Sequence, residues 1–89
     1  MVNNYTLDER SADFMVWDTA NEIGWDKPYL TIARAAFYTL YGDQGLEDLN
    51  STDEDRWYES RNALAAIRYH ARKRQGNLFL PSQHAGKVK

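Results

Sequence analysis

The segment from Tyr29 to Tyr41 constrains the fold of this 89-residue chain more than any other. It is apolar nearly all round and is interrupted only by Thr31, Arg34 and Thr39. A helix with apolar side chains on almost every side must be central, or covered by neighbours on several sides. Because the chain is long enough for only one small domain, we predict that this segment is its core helix.

Two further helical patterns flank this segment. Thr6 and Glu9 form a capping box, and an apolar stripe at spacings of three and four residues follows it. The stripe consists of Ala12, Val16, Ala20 and Ile23. Ser51 and Glu54 form a second capping box ahead of a longer pattern. We therefore predict an all-α fold, a small three-helix domain with helices over about 7–23, 28–41 and 52–75.

Glycines mark the predicted ends of the helices, at Gly24, Gly42 and Gly76. The apolar run 77–80 that follows Gly76 is predicted to fold back across helices two and three as a C-terminal strap. Burial of each of its large apolar side chains would contribute roughly 1.5–3 kcal/mol. The prediction is thus a single helical domain over 1–81 and a flexible, disordered tail over 82–89.

The aromatic side chains are numerous for three helices. The aromatic residues predicted to share the core are Trp17, Trp25, Tyr29, Phe37 and Trp57. Those that are harder to place inside are Phe14, Tyr38, Tyr41, Tyr58 and Tyr69. Since Trp, Tyr and Arg dominate binding hot spots, the second group predicts an interaction surface.

The composition argues against catalysis. The chain contains no cysteine, which excludes disulfides, thiolate catalysis and cysteine-ligated zinc. Neither His70 nor His84 has a carboxylate within a helical turn, and we expect His70 to be a surface residue. We predict a protein that is not an enzyme and that uses no cofactor and no metal. The N-terminus lacks the pattern of a signal peptide, and no run approaches about 20 apolar residues, so we expect a cytoplasmic protein with no membrane partner.

Charge divides the chain into two unequal parts. Residues 60–89 carry seven Lys and Arg and no Asp or Glu, whereas the whole chain has a net charge of −2. The basic C-terminal half of helix three suggests one function, nucleic-acid binding. The residues that would carry it are Arg61, Arg68, Tyr69, Arg72, Lys73 and Arg74. The acidic net charge makes direct nucleic-acid binding the alternative rather than the leading hypothesis.

The leading hypothesis is a protein–protein interaction module. Its predicted contact residues are Phe14, Asp13, Asp18, Glu22, Arg34, Tyr38, Tyr41, Glu47, Asp48, Leu78 and Phe79. The acidic members would face a basic surface on the partner, such as a nucleic-acid-binding protein complex, and the aromatic members would supply apolar anchors. Self-association is a second use of the same surface. Such a profile fits an adaptor or a small phage- or plasmid-type inhibitor with an anti-defence role.

The segment Gln75-Gly76-Asn77-Leu78-Phe79 resembles the short motif by which proteins dock on the bacterial sliding clamp. The resemblance covers five residues, and Gly76 stands where the motif prefers leucine. It implies that Leu78 and Phe79 fill a hydrophobic pocket while the Gln75 amide binds at its rim. This docking peptide is the alternative to the strap, which we favour.

Overall fold

The computed structural model describes residues 5–87, with side chains for residues 5–76. It contains three α-helices, α1 (Glu9–Ile23), α2 (Tyr29–Leu49) and α3 (Glu54–Lys87). The described residues include no strand, so the predicted small all-α domain of three helices is confirmed. Within the described part of the chain, no helix is long and apolar enough to span a bilayer.

Helix α1 begins two residues later than predicted. Its N-cap is Asp8, whose carboxylate accepts a hydrogen bond of 2.7 Å from the backbone N–H of Ser11. The predicted cap, Thr6, therefore lies before the helix. Asp and Thr are both good N-caps, and a carboxylate is further favoured by the positive end of the helix dipole. Gly24, with φ of 114°, ends the helix as predicted.

Helix α2 begins at Tyr29, directly after Pro28, and is interrupted at Gly42. Gly42 has φ of 64° and ψ of −154°, a conformation that is essentially restricted to glycine. The prediction that Gly42 closes the core helix identified this break. The prediction of an end at Tyr41 is too short, because residues 43–49 form a further helical stretch that extends α2 to Leu49.

Helix α3 begins at Glu54 rather than at position 52. The Asp53 carboxylate accepts hydrogen bonds from the backbone N–H groups of Asp55 at 3.0 Å and Arg56 at 3.4 Å. Ser51, the predicted cap, instead accepts from the backbone N–H of Asp53 at 2.9 Å. The helix and its cap thus begin two residues later than the capping box predicted.

The C-terminal part of α3 differs most from the prediction. The helix does not end at Gln75 but continues through Gly76 and Pro81 to Lys87. Residues 77–80 are therefore helical instead of forming a returning strap, and residues 82–87 of the predicted tail are helical too. Gly76 lacks the positive φ of a helix-ending glycine, and a helical glycine costs only about 1 kcal/mol relative to alanine. The predicted contacts of Leu78 and Phe79 concern side chains outside those described.

The core lies where the three helices meet and confirms most of the stripe predicted on the first helix. The largest fully buried apolar side chains are Phe37, Ile32, Ile67 and Val16. On α1, Ala12, Val16 and Ala20 are buried. Among the described side chains of α3, those that are buried are Ser60, Ala63, Leu64, Ile67, His70 and Ala71. Each helix packs against the other two, and one side of α2, with Leu30, Arg34 and Tyr38, is exposed, so α2 is not covered on all sides as predicted.

Two tryptophans predicted in the core lie at its surface. Trp17 is 44% exposed and Trp57 is 40% exposed. Trp17 lies beside the buried stripe of α1 and packs against Trp25, with ring centroids 5.7 Å apart. Trp57 lies in the first turn of α3, one turn ahead of the first buried residues of that helix. Trp25 and Tyr29 are half-buried and Phe37 is fully buried, so the prediction holds for these three only.

Candidate binding groove

A groove about 400 Å³ in volume lies between α2 and α3. We call it the basic groove, and it is lined by Arg34, Leu46, Leu49, Asn50, Arg61, Leu64 and Arg68. Leu49 and Leu64 are buried, and the three arginines are exposed. The groove therefore combines an apolar floor with positively charged walls.

Helical spacing and the break in α2 explain how these residues come together. Arg61, Leu64 and Arg68 are separated by three and four residues, which places them on one side of α3. Arg34 comes from the first part of α2, and Leu46 and Leu49 come from the stretch that follows the break at Gly42. The groove is thus assembled from both parts of α2 and the middle of α3.

The charges in the basic groove are uncompensated. Among the described residues, none that lines it is acidic. The salt bridges within residues 5–76 involve Lys27, His70 and Arg74, and none involves a groove arginine. Arg61 lies over the Trp57 ring, with its guanidinium carbon 5.2 Å from the centroid. Because guanidinium groups bind carboxylates and phosphates through two parallel hydrogen bonds, this arrangement suits an anionic group.

Exposed aromatic side chains extend the groove on both helices. Tyr38 lies one helical turn after Arg34, and Trp57 lies one turn before Arg61. Both rings are exposed although they are large. Tryptophan, tyrosine and arginine are the residue types most enriched in binding hot spots. Arg34 and Tyr38 were predicted as protein-binding residues, and both lie on this side of α2.

A second cleft, about 570 Å³ in volume, separates α1 from α3. It is lined by Glu9, Arg10, Asp13, His70, Lys73 and Arg74. The Arg74 guanidinium donates two hydrogen bonds to the Asp13 carboxylate, at 2.7 and 2.6 Å, and stacks on Trp17 with its carbon 5.3 Å from the ring centroid. We call the Asp13–Arg74 pair the clasp.

The clasp neutralises the charges at the centre of this cleft. Hydrogen bonds from Arg74 hold the pKa of the Asp13 carboxyl below its ordinary value, and the Asp13 carboxylate raises the pKa of Arg74. His70 lies with Nδ1 3.7 Å from Asp13 and is only 7% exposed, so the prediction that it is a surface residue is wrong. The Asp13 and Arg74 charges at the centre of this cleft bind each other and connect α1 to α3. They are therefore less available to a ligand than the unpaired arginines of the basic groove.

The predicted acidic surface is smaller than expected. Asp13 is engaged in the clasp. Asp48 is 5% exposed and accepts hydrogen bonds from the Tyr5 hydroxyl at 2.5 Å and from Gln44 Nε2 at 3.0 Å. Asp48 therefore holds the N-terminal segment on α2 instead of facing a partner. Asp18, Glu22 and Glu47 are exposed as predicted.

The predicted aromatic anchors do not form one patch. Phe14 is exposed on the side of α1 that faces away from its buried stripe. Tyr41 is half-buried, with its ring centroid 5.0 Å from that of Phe37 and 4.7 Å from that of Tyr5. Burial raises the pKa of the Tyr41 hydroxyl. Tyr41 thus belongs to the fold, whereas Tyr38, one helical turn after Arg34, is an exposed aromatic side chain of α2.

The predicted nucleic-acid-binding residues divide into three groups. Arg61 and Arg68 line the basic groove, whereas Arg74 is held in the clasp. Tyr69 and Arg72 are exposed on the outer side of α3, and the Lys73 ammonium lies 5.9 Å from the Tyr69 ring centroid. The structure brings Arg34 to Arg61 and Arg68, a combination that sequence reasoning missed. Its only signal was that Arg34 is the one charge in the apolar segment Tyr29–Tyr41.

The Gln75 side chain is also engaged within the chain. Its amide nitrogen donates to the backbone carbonyl groups of Trp25 and Lys27, in the turn between α1 and α2. The amide that the sliding-clamp motif would present at a pocket rim thus binds this turn, and its backbone lies within α3. Neither contact favours the docking-peptide interpretation.

The side chains of residues 5–76 include no group of three or more His, Cys, Asp or Glu residues arranged to hold a metal ion.

Comparisons of the chain with protein-family models, curated proteins and solved structures found no match.

Proposed function

We propose that this chain is a non-enzymatic, cytoplasmic protein-binding module whose basic groove binds an acidic segment of a partner protein. The observation that carries the proposal is the convergence of Arg34, Arg61 and Arg68 around a leucine floor. Two helices supply these guanidinium groups, and none of them has a carboxylate partner among the described residues.

The groove offers complementary chemistry for such a segment. Carboxylates of the partner would bind the arginines through paired hydrogen bonds, which fix orientation as well as adding affinity. An apolar side chain between them would pack on Leu49 and Leu64. Tyr38 and Trp57 would cover the ends of the segment and exclude water from the ion pairs, which strengthens them.

Charge favours a protein over a nucleic acid as the partner. The chain leaves the groove at Asn50 and then presents the exposed carboxylates of Asp53, Glu54 and Asp55. A continuous phosphate backbone that extended past this end would be repelled, whereas a short acidic peptide can end before it. The clasp also removes Arg74 from the basic run. Nucleic-acid binding remains the second candidate because Tyr69 and Arg72 are exposed beyond the groove.

This proposal reverses one part of the sequence-based hypothesis. A partner was expected to present a basic surface to acidic residues of this chain, but Asp13 and Asp48 are engaged internally. The exposed unpaired charges that converge are arginines, so we propose an acidic partner surface instead. The role of inhibitor or adaptor, including an anti-defence role, stays a hypothesis about what such binding achieves.

The experiment compares single charge reversals that alter net charge equally. Immobilised wild type, Arg34→Glu, Arg68→Glu and the control Arg10→Glu are incubated with bacterial lysate, with and without nuclease. Arg10 is exposed on α1 and lies outside the basic groove. Retained proteins are identified, purified and titrated by fluorescence anisotropy alongside a labelled single-stranded oligonucleotide.

We expect a partner that survives nuclease, binds wild type and Arg10→Glu equally, and binds the two groove variants at least about tenfold more weakly. Equal binding by all four proteins would place the interface elsewhere and refute the groove. Capture that nuclease abolishes, together with oligonucleotide binding weakened by Arg68→Glu, would establish the second candidate instead.

A further inference from the structure

The outer side of α3 carries a row of exposed residues outside both the core and the basic groove. We call it the outer stripe, and it consists of Asp55, Tyr58, Asn62, Ala65, Tyr69 and Arg72. Tyr58 and Tyr69 are 61% and 60% exposed, which is unusual for side chains of this size. The Tyr69 ring contacts His70 and Lys73 of its own helix, and neither tyrosine ring packs on an aromatic ring of another helix among the described residues.

The spacing of the outer stripe is that of a coiled-coil seam. Successive members are separated alternately by three and four residues, close to the 3.5-residue period of a heptad repeat. A seam with this period stays in contact with a partner helix over several turns through a left-handed supercoil. From Asp55 to Arg72 the stripe spans about 26 Å of helix. The spacing makes the stripe a continuous row that a second helix could follow, and its two exposed tyrosines supply the large side chains that such a contact would bury.

The order of the residues is complementary to α3 of a second copy in antiparallel orientation. When Asn62 faces Ala65 of the other copy, Tyr58 faces Tyr69 and Asp55 faces Arg72. Each of these contacts occurs twice around a two-fold axis, as an isologous dimer requires. The ends pair opposite charges, the next layers pair aromatic rings, and the small Ala65 lets the helices approach at the centre. A parallel pairing would instead place each charged residue against itself.

We propose that this chain forms a homodimer through the outer stripe, with the two α3 helices antiparallel. Asn62 supplies a polar residue in the seam, which specifies register at some cost in stability. Arg61 and Arg68 flank the stripe on the groove side and repel their counterparts. The dimer is therefore weak, with a Kd on the order of 10–100 µM. The basic groove lies beside the seam and keeps its own lining residues.

The test measures mass against concentration by sedimentation equilibrium from about 5 to 500 µM, a range that brackets the expected Kd. The mass of wild type rises from 10.4 kDa towards twice that value. Tyr58→Ala removes a seam contact and weakens the dimer at least about tenfold. Phe14→Ala is the matched control, because Phe14 is also an exposed aromatic side chain but lies on α1, outside the outer stripe and the basic groove.

A charge exchange tests the antiparallel register. Asp55→Arg and Arg72→Asp each weaken the dimer, because each places like charges opposite one another at both ends. The double variant Asp55→Arg/Arg72→Asp restores the attraction and the wild-type Kd within about threefold. Circular dichroism checks that each variant is folded. A wild type that stays monomeric at about 500 µM, a Phe14→Ala effect equal to that of Tyr58→Ala, or a double variant that does not regain the wild-type Kd would overturn the proposal.

Discussion

Asp13 gives a structural role to one residue of the basic run 72–74. Its carboxylate binds Arg74, which lies 61 residues later in the sequence. The guanidinium is also stacked on Trp17, so Arg74 is oriented on two sides. The basic run at the end of the predicted helix three is therefore partly structural, because its last arginine fastens α3 to α1.

Replacement of Asp13 by Asn should lower the free energy of unfolding by about 1 kcal/mol at pH 7, a modest value because the pair is partly exposed. The pKa of Asp13 is lowered in the folded state by Arg74, so the unfolded chain takes up this proton first as the pH falls. The contribution is therefore complete at neutral pH and is lost below about pH 4.

Urea unfolding of wild type and Asp13→Asn at pH 7 and at about pH 3 measures this difference at two protonation states. The difference in unfolding free energy between wild type and Asp13→Asn should be smaller at the lower pH. Asp18→Asn is the control, since Asp18 is exposed on the same helix and makes no salt bridge among the described residues. A difference in unfolding free energy that is equal at both pH values would show that the clasp contributes no charge-dependent stability.

At the scale of the element, the backbone conformation of a glycine determines whether it interrupts a helix. Gly42 has a conformation that other residues rarely adopt, and it interrupts α2. Gly76 stands within α3 and interrupts nothing. The two positions look alike in the sequence, since each follows a helical pattern. At Gly42 the sequence predicted the break but not the helical stretch after it, whereas at Gly76 it predicted a helix end that does not occur. A glycine ends a helix where its backbone leaves the helical conformation, and at Gly76 it does not.

We expect opposite effects of alanine at these two glycines. Gly42→Ala should destabilise the fold by about 1–3 kcal/mol, for backbone reasons alone, because a Cβ there would meet no atom within 4 Å. Gly76→Ala should stabilise it by about 0.4–1 kcal/mol, since alanine favours a helical backbone. Thermal unfolding followed by circular dichroism measures both. Loss of stability in Gly76→Ala would favour the originally predicted helix end at this residue.

At the scale of the whole molecule, patterns within one helix were predictable and contacts between helices were not. The stripe with Ala12, Val16 and Ala20 follows from its spacing, and all three residues are buried. That Arg34 meets Arg61 and Arg68 depends on how α2 lies against α3. The same holds for the clasp and for Asp48, whose burial depends on Tyr5 reaching it from 43 residues away. Spacing within a helix determines a face but not what that face meets.

Removal of residues 77–89 tests how far the folded unit extends. The buried side chains of the described residues lie between Ala12 and Ala71, and Gln75 binds the α1–α2 turn. A chain that ends at Gly76 should therefore unfold cooperatively, with a Tm within about 4 °C of wild type, equivalent to less than about 1 kcal/mol. Differential scanning calorimetry measures this, and a Tm lower by more than about 8 °C would restore the strap prediction.

The surface positions of the tryptophans give the molecule built-in optical probes. Trp17 lies beneath the guanidinium of the clasp, and Trp57 lies at the basic groove in contact with Arg61. Indole emission depends on neighbouring charge and on water, so each ring should change its fluorescence when its own arginine moves. Single Trp→Phe variants would then separate the signal of α1 leaving α3 from the signal of a ligand entering the groove, without any attached dye.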